Sequence, residues 1–349
     1  MTTNPPAGGQ RPPTIYDVAT AAGVAASTVS RALARPGRVS AVTAERIREA
    51  VARLGYHANP LARALPTGRT KMIAVIISDI TNPFYFGIIR GAQAAAADAD
   101  YTMMLADAQE SDEREREAMD RALPIVEGIV VASSRMSDTA IRMAAKQKPL
   151  LLLNRVIADV PCLLTDNPAG VRKAAEHLAG LGHRSITYVA GPEASWADGV
   201  RWRALLAVTA ELGLRSRRIG PFQPTVAGGE KAADTLLQRH RTATAVLAYN
   251  DQVAIGLIRR LTAHGVGVPD RISVVGIDNI FAADLITPPL TTVAAPLGTM
   301  GHTAVRNVLA MINGAQSRAA EPLVLPVDLV QRASTAPPPR PRSSRSKPS

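Results

Sequence analysis

Residues 14–33, TIYDVATAAGVAASTVSRAL, read as two short helices joined by a tight turn at a glycine. Thr14 is an N-cap residue with Asp17 three positions on, a short capping box in which each side chain satisfies a backbone N–H left unpaired by the first turn. Ile15, Val18, Ala19 and Ala22 then recur at helical spacing and give one apolar face. Gly23 suits the left-handed residue that ends such a helix. A second helix runs from about Ala26 to Leu33, turning Val29 and Leu33 inward and Ala26, Ser27, Ser30 and Arg31 outward. Farther on, Ser40 caps and Gly55 stops a third helix, whose Ile47, Val51 and Leu54 form an i, i+4, i+7 stripe. Three short helices, the first two meeting at a glycine turn, make a helix-turn-helix.

Charge divides along the chain in the same place. Residues 11–71 carry ten Lys/Arg against three Asp/Glu, residues 334–349 carry four basic groups and no acid, and residues 72–333 hold 26 of each sign. A basic head on an electroneutral body points to a dedicated nucleic-acid module rather than a general affinity for polyanions. The length of 349 residues, 46% of them hydrophobic, exceeds what one core usually serves, so two or three folding units are expected. No run reaches the roughly 18 apolar residues of a membrane span. The start, MTTNPPAGGQRPPT, has no apolar signal region, and the single Cys162 has no mate for an internal disulfide, so the expected location is the cytoplasm.

Residues 1–13 and 334–349 are rich in Pro, Gly or Ser and are expected to be disordered tails, the second of them basic. Beyond the head, strand-length apolar runs recur: IAVIIS at 73–78, YTMMLA at 101–106, GIVVAS at 128–133, PLLLLN at 149–154, SITYVAG at 185–191, TAVLAYN at 244–250 and ISVVGID at 272–278. Helical stretches lie between most of them. Runs that are continuously apolar imply burial on both faces, the mark of parallel strands covered by helices. There are too many for one sheet, so two α/β lobes are expected across 71–333, with ligands beyond the carboxyl ends of the strands.

With those residues in view, TIYDVATAAGVAASTVSRAL at 14–33, RVSAVTAERIREAVARLGYHANPLARAL at 38–65 and TGRT at 67–70 resemble the head of LacI/GalR repressors. The resemblance implies a DNA-binding domain over 14–58 and a hinge helix and linker over 59–70. It places Ala26 and Ser27 at the base-reading start of the recognition helix, Arg31 as a later base or phosphate contact, and Thr14, Tyr16, Thr28 and Ser30 against phosphates. Arginine can bond guanine bidentately while hydroxyls position the backbone, so the chemistry agrees. Where the family usually has Ser at the cap of that helix, Ala25 stands here, which removes roughly 1 kcal/mol of local stability. In the hinge, Asn59 is a good N-cap and Pro60 suits the first helical position, but a helix of under two turns is marginal in water. The resemblance implies that it orders when two subunits meet in the minor groove, Leu65 wedging between base steps and Arg63 meeting phosphate or groove edges.

The body resembles the type I periplasmic-binding-protein fold of the same repressors, through SDITNPFY at 78–85, LGHRSITYVAGPEASWADGVRWRA at 181–204, AVLAYNDQVAIG at 245–256 and ISVVGIDN at 272–279. The implied effector shell is Asp79, Asn82, Phe84, Tyr85, Asn154, Ser195, Trp196, Arg201, Phe222, Asn250, Asp251 and Asp278. Asp79 and Asp251 are equally placed to cap the helices that follow them, Asn82 to shape the turn before Pro83, and Phe84 and Phe222 to join the core. Arg201 and Asp278 stand out, because a charge at a buried element end needs a partner and a polyhydroxylated ligand supplies one. A sugar or sugar derivative suits the set; a nucleobase or nucleoside is the alternative. The helix from Tyr85 to about Asp98 carries Ile88, Ile89 and Ala92 on one face, and the resemblance implies that this region packs against a second copy. A homodimer reading a pseudo-palindromic operator is expected, since one small head contacts few bases.

The expectation is thus an α/β protein: an all-α helix-turn-helix head and a two-lobed body with parallel sheets, acting as an effector-controlled transcription repressor. The six histidines, His57, His177, His183, His240, His264 and His302, show no metal spacing, and neither a phosphate-binding loop nor a nucleophile elbow occurs. No catalysis, cofactor, metal or membrane partner is expected.

Overall fold

The computed structural model describes residues 11–34, 37–56, 69–240, 242–315 and 321–339, and the chain divides into two units, Met1–Lys71 and Met72–Ser349. The predicted hinge residues Asn59, Arg63 and Leu65 lie outside the described residues.

The first unit holds α1 (Ile15–Ala22), α2 (Ala26–Ala34) and α3 (Ala41–Leu54). Thr14 and Asp17 close a reciprocal capping box, and Gly23 ends α1 with φ 63°. The Ser40 hydroxyl accepts from the Thr43 N–H, and Gly55, at φ 61°, ends α3. Val18, Ala19, Ala22, Val29, Ile47 and Ala50 form the small core, with Ile15, Leu33, Val51 and Leu54 packed around it. Arg46 donates from α3 to the Ala22 carbonyl, satisfying an acceptor that the end of α1 leaves open.

The second unit carries two six-stranded sheets. In the first lobe, β1 (Met72–Ile77), β2 (Thr102–Asp107), β3 (Gly128–Ala132), β4 (Leu150–Leu153), β5 (Cys162–Thr165) and β11 (Leu323–Leu325) lie in the order β11-β5-β4-β3-β1-β2, all parallel. In the second, β6 (Ser185–Val189), β7 (Arg215–Ile219), β8 (Ala245–Ala248), β9 (Ser273–Asp278), β10 (Thr291–Ala294) and β12 (Asp328–Val330) lie in the order β12-β10-β9-β8-β6-β7, parallel except for β12. The five strands β5-β4-β3-β1-β2 and β10-β9-β8-β6-β7 thus follow one plan, and Ile73, Val75, Ile76, Val130, Leu152, Val246 and Val274 are all buried. Each such side chain contributes roughly 1.5–3 kcal/mol relative to exposure.

Between the lobes the chain passes three times: at Asp166 after β5, at Ala295–Pro296 after β10, and at Pro326–Val327 between β11 and β12. Helix Leu297–Ile312 consequently follows a second-lobe strand yet packs in the first lobe, against helix Phe84–Asp98 and strands β3 and β4. The contact with helix Phe84–Asp98 is close because both helices are notched by glycine. A Cβ at Gly91 would stand 2.0 Å from the Gly298 carbonyl oxygen, and one at Gly301 would stand 1.9 Å from that of Ile88.

Two expectations are corrected here. The body does not stop at 333: Ser334 is fully buried, its hydroxyl donating to the Val274 carbonyl at 2.6 Å, and Ala336 exchanges hydrogen bonds with the Ser273 hydroxyl. Residues 334–336 are polar in composition, but their polar groups pair with strand β9 instead of water. The face of helix Phe84–Asp98 expected to meet a second copy is also turned differently, since Ile88 and Ala92 belong to the core and Phe86 is the large apolar residue left outward.

Because Gly91 faces backbone rather than a movable side chain, Gly91→Ala must push the two helices apart. A loss of about 1–3 kcal/mol in unfolding free energy is expected by chemical denaturation.

Candidate DNA-reading helix and effector cleft

On the head, α2 leaves part of its outer face open. Ser27 and Arg31 are exposed, Thr28 and Ser30 half-buried, and on α1 Tyr16 is 71% exposed. Two of the predicted DNA contacts are otherwise engaged. The Thr14 hydroxyl donates to Asp17 Oδ2 at 2.7 Å and accepts from its N–H, and Ala26 is half-buried against the head core instead of standing outward. Ala25 offers only its carbonyl, which accepts from the N–H groups of Thr28 and Val29 at 2.8 and 3.2 Å.

In the body, the loops after β1, β3, β4, β8 and β9 converge on one cleft between the lobes, as the carboxyl-end rule for parallel sheets requires. Its lining includes seven of the twelve predicted effector residues: Asn82, Phe84, Tyr85, Asn154, Arg201, Asn250 and Asp278. Arg201 is buried in it. Its Nε donates to Asn167 Oδ1 at 2.7 Å, Nη1 donates to the Tyr249 carbonyl at 2.6 Å, and the guanidinium lies 5.1 Å from the centre of the Tyr249 ring. Nη2 stands 3.9 Å from Asp278 Oδ1, an ion-pair distance but not a hydrogen bond. Asp278, at the end of β9 with φ 120°, is 5% exposed. Burial pushes its carboxyl up to about 7, against the opposing pull of Arg201.

Phe84 and Tyr85 meet edge to face with ring centres 5.0 Å apart. Asn82 Oδ1 accepts from the Phe84 N–H at 3.0 Å, so this residue shapes the turn as well as lining the cleft. Asn250 caps helix Asp251–Ala263 through Oδ1 and donates from Nδ2 to the Pro224 carbonyl at 3.3 Å. Asn154 and Ser133 each hold a positive φ, 55°, at strand ends facing the cleft. With Asp278 they put three strained residues in one lining, the usual company of a functional site.

Five predicted residues lie outside that lining. Asp79 accepts from the N–H and hydroxyl of Thr81 in a local turn. Ser195 caps helix Trp196–Glu211 and shares a hydrogen bond with the Tyr249 hydroxyl. Trp196 is the first residue of that helix, and its neighbour Ala197 reaches the cleft instead. Phe222 packs against the main core. Asp251, fully buried, accepts from the Ile280 N–H at 2.9 Å and the Thr292 hydroxyl at 2.5 Å, tying helix to sheet beneath the site. Desolvation, then the nearby Asp278, raises its carboxyl well above the usual range.

Sequence reasoning missed Glu110, Ser133, Arg135 and Tyr249, which also line the cleft. Arg135 Nε and Nη2 meet Glu110 Oε2 at 2.8 and 2.7 Å, so the first lobe contributes a largely buried ion pair. Ser133 ends the GIVVAS run and Tyr249 precedes Asn250; strict use of the strand-end rule would have found both. Among the described residues no cluster of His, Cys, Asp or Glu could hold a metal ion, and no helix is long and apolar enough to cross a membrane.

Comparison with known proteins accounts for both regions. Residues 14–59 match the family of bacterial regulatory proteins called lacI, and residues 175–335 match the periplasmic binding protein-like domain. The HTH-type transcriptional regulator DegA of Bacillus subtilis is 31% identical, over 93% of this chain and 98% of its own. A crystal structure of the lac repressor dimer bound to operator and the anti-inducer ONPF superimposes with a TM-score of 0.83 at 28% identity, covering 93% of this chain and 100% of that one. A LacI family regulator from Enterococcus faecium with bound ribose gives 0.69 at 30% identity, over 76% of this chain and 99% of its own.

The raised Asp278 carboxyl has a consequence for stability. The folded value lies above the 3.8 of an ordinary aspartate, so the fold prefers the neutral acid. Its contribution is complete below about 3.8 and is lost as pH rises through about 7. Between pH 5 and 8 the melting temperature of the ligand-free protein is therefore expected to fall more steeply than that of Asp278→Asn, as scanning calorimetry would read directly.

Proposed function

This chain belongs to the lacI family of bacterial regulatory proteins, and on that ground we propose that a sugar or sugar derivative, held in the inter-lobe cleft, sets its grip on operator DNA. The protein is a DNA-binding transcription regulator under effector control, and not an enzyme. One observation carries the effector assignment: the Asp278 carboxylate lines the cleft, is almost wholly buried, and accepts no hydrogen bond among the described residues. A buried acceptor of this kind needs donors, and adjacent ligand hydroxyls supply them. Arg201 beside it donates to ligand oxygens, and Phe84, Tyr85 and Tyr249 offer faces for the apolar side of a sugar ring. The ribose found in the Enterococcus faecium relative supports the ligand class.

The head residues assigned to DNA are Ser27 and Arg31 for base edges, with Tyr16, Thr28 and Ser30 for phosphates. All five lie on the exposed or half-exposed surface of α1 and α2, which supports the assignment. The protein works as a dimer, a reading supported by an apolar surface on the body. Phe86 and Phe281 stack there at 6.3 Å, 47% and 63% exposed, and Leu285 and Ile80 are exposed as well. Exposed large apolar side chains of this sort mark protein interfaces. The operator-bound lac repressor is itself a dimer.

A thermal-shift screen against sugars and nucleosides identifies the effector. With it in hand, Arg201→Ala is expected to weaken effector binding at least tenfold by calorimetry while operator affinity in a gel shift stays within twofold. Loss of operator binding in that variant would instead assign Arg201 to the fold. For the interface, Phe281→Asp is expected to shift the protein to monomer in sedimentation and to weaken operator binding by more than tenfold.

A further inference from the structure

A second basic region lies on the body, away from the cleft. Strand β7 is the outermost of the second sheet and reads Arg215-Ser216-Arg217-Arg218-Ile219. Its partner strand places Ser185 opposite Arg215 and Thr187 opposite Arg217. Ser185, Thr187, Arg215, Ser216, Arg217, Thr242 and Ala243 line one groove, with four hydroxyls and no carboxylate among them. Arg184 and Arg239 are exposed at its ends, the first continuous with β6 and the second closing helix Val226–Arg239.

These cations lack the carboxylate partners that about half of the body arginines have. Arg172, Arg218 and Arg260 pair with Glu211, Asp198 and Asp234. Among the described residues, Arg184, Arg215, Arg217 and Arg239 make no ion pair, and Arg217 Nη1 turns to His240 Nδ1 at 2.8 Å. Burial and then the charges of Arg217 and Arg239 lower the His240 imidazole, keeping it the neutral acceptor of that bond. On a body whose charges sum to zero, several unmatched guanidinium groups at one groove are a local excess.

The groove also has a fixed place. Arg184, Arg215 and Thr242 stand at or just before the amino ends of β6, β7 and β8, whereas the carboxyl ends of β8 and β9 face the effector cleft. Met72, where the chain enters the body from the head, is at the amino end of β1, on the far side of the other lobe. The groove and the entry point therefore sit at opposite poles of the body. The chain also leaves beside Arg184, Pro338 lying against Gly182, and the sequence after it adds four basic residues and no acid.

We propose that this groove binds the phosphate backbone of a duplex DNA segment, independently of sequence and separately from the operator held by the head. Guanidinium groups alternating with hydroxyls are the donors that phosphodiesters take, and a carboxylate-free lining excludes none of them. The edge strand is about 15 Å long, on the order of four base pairs of duplex, so it meets two or three phosphates at once. One molecule thereby joins two stretches of DNA, which the head alone cannot do.

The test uses the full chain with its heads saturated by unlabelled operator duplex, then offers a labelled 30-base-pair random duplex at low salt and reads capture by anisotropy. Capture is expected, with affinity falling steeply as salt rises. In Arg184→Ala/Arg215→Ala/Arg217→Ala it should drop at least tenfold, its salt slope shrinking by about 3, while operator affinity and effector response are unchanged. A chain ending at Pro339 should still capture the duplex. The proposal is overturned if the operator-loaded protein captures no random duplex, if the triple variant captures it as well as wild type, or if removing residues 340–349 alone abolishes capture. Displacement by millimolar inorganic phosphate but not by excess duplex would likewise overturn it, assigning the groove to a small anion. Operator binding is measured separately, so failure at the groove is distinguishable from failure of the regulator reading.

Discussion

Arg201 must be kept charged out of water, and the body is organised around how that is done. Removing a guanidinium from solvent costs several kcal/mol unless its donors are met. Here two of its five N–H groups are met by neutral oxygens, from Asn167 and Tyr249, with the Tyr249 ring beneath and Asp278 too distant for a hydrogen bond. Each partner comes from a different element. Asn167 opens the helix that follows the first crossing between lobes, Tyr249 ends the β8 segment, and Asp278 ends β9. The protonation preference of Asp278 follows from the same geometry: with no donor in contact, burial outweighs the pull of Arg201. Arg201 keeps N–H donors to spare and Asp278 has no donor in contact, so a ligand rich in hydroxyls, which both accept and donate, suits the pair.

The position of Arg201 also bears on how occupancy could be felt elsewhere. Thr165, Asp166, Asn167, Ala295 and Val327, drawn from all three crossings, surround a small cavity that Arg201 and Asp278 close from the cleft side. A rotation of one lobe against the other would have to bend the chain at these crossings, and hinges of this kind absorb their change in a few residues. The glycine-notched contact between helices Phe84–Asp98 and Leu297–Ile312 leaves the first lobe little room to deform internally. A ligand can shift such an equilibrium only through a difference in affinity between the two arrangements. Contacts split between Asp278 in one lobe and Arg135, Glu110 or Asn154 in the other would supply that difference, because they can be satisfied together in one arrangement only.

Much of this was legible in the sequence, and the misses have physical causes. The seven strands expected from apolar runs are β1, β2, β3, β4, β6, β8 and β9; all but β2, an edge strand, are interior strands that burial on both faces makes continuously apolar. Strand β7 escaped because it is an edge strand with an exposed, arginine-rich pattern. Strands β5, β10, β11 and β12 escaped because, unlike the equally short β4 and β8, β5, β10 and β12 interrupt the apolar run with Thr or Asp and β11 is only three residues long. In the cleft, residues were found when their chemistry was conspicuous, as with Arg201 in helix Trp196–Glu211 and Asp278 at the end of β9. Ser195 and Asp251 have equally suggestive side chains, but local capping and a buried Thr292 contact consume them, and such three-dimensional partners leave no trace in spacing. Glu110 and Arg135 were overlooked because their meaning lies in meeting each other across 25 positions of chain.

On the head, one departure from the expected pattern turns into a consistent feature. Ala25 has no side-chain oxygen, so α2 lacks the cap that would satisfy its first N–H groups, and only those of Thr28 and Val29 find the Ala25 carbonyl. The N–H groups of Ala26 and Ser27 stay at an open helix start, where the aligned peptide dipoles favour negative charge. Ala26 anchors that turn by packing into the core while Ser27 and Arg31 face outward, so the unsatisfied donors sit on a fixed support. The open start of α2 thus presents backbone donors of the kind a phosphate takes, with no capping side chain to displace. On the proposed DNA assignment, the roughly 1 kcal/mol that the missing cap costs the free head is recovered when a phosphate meets those N–H groups.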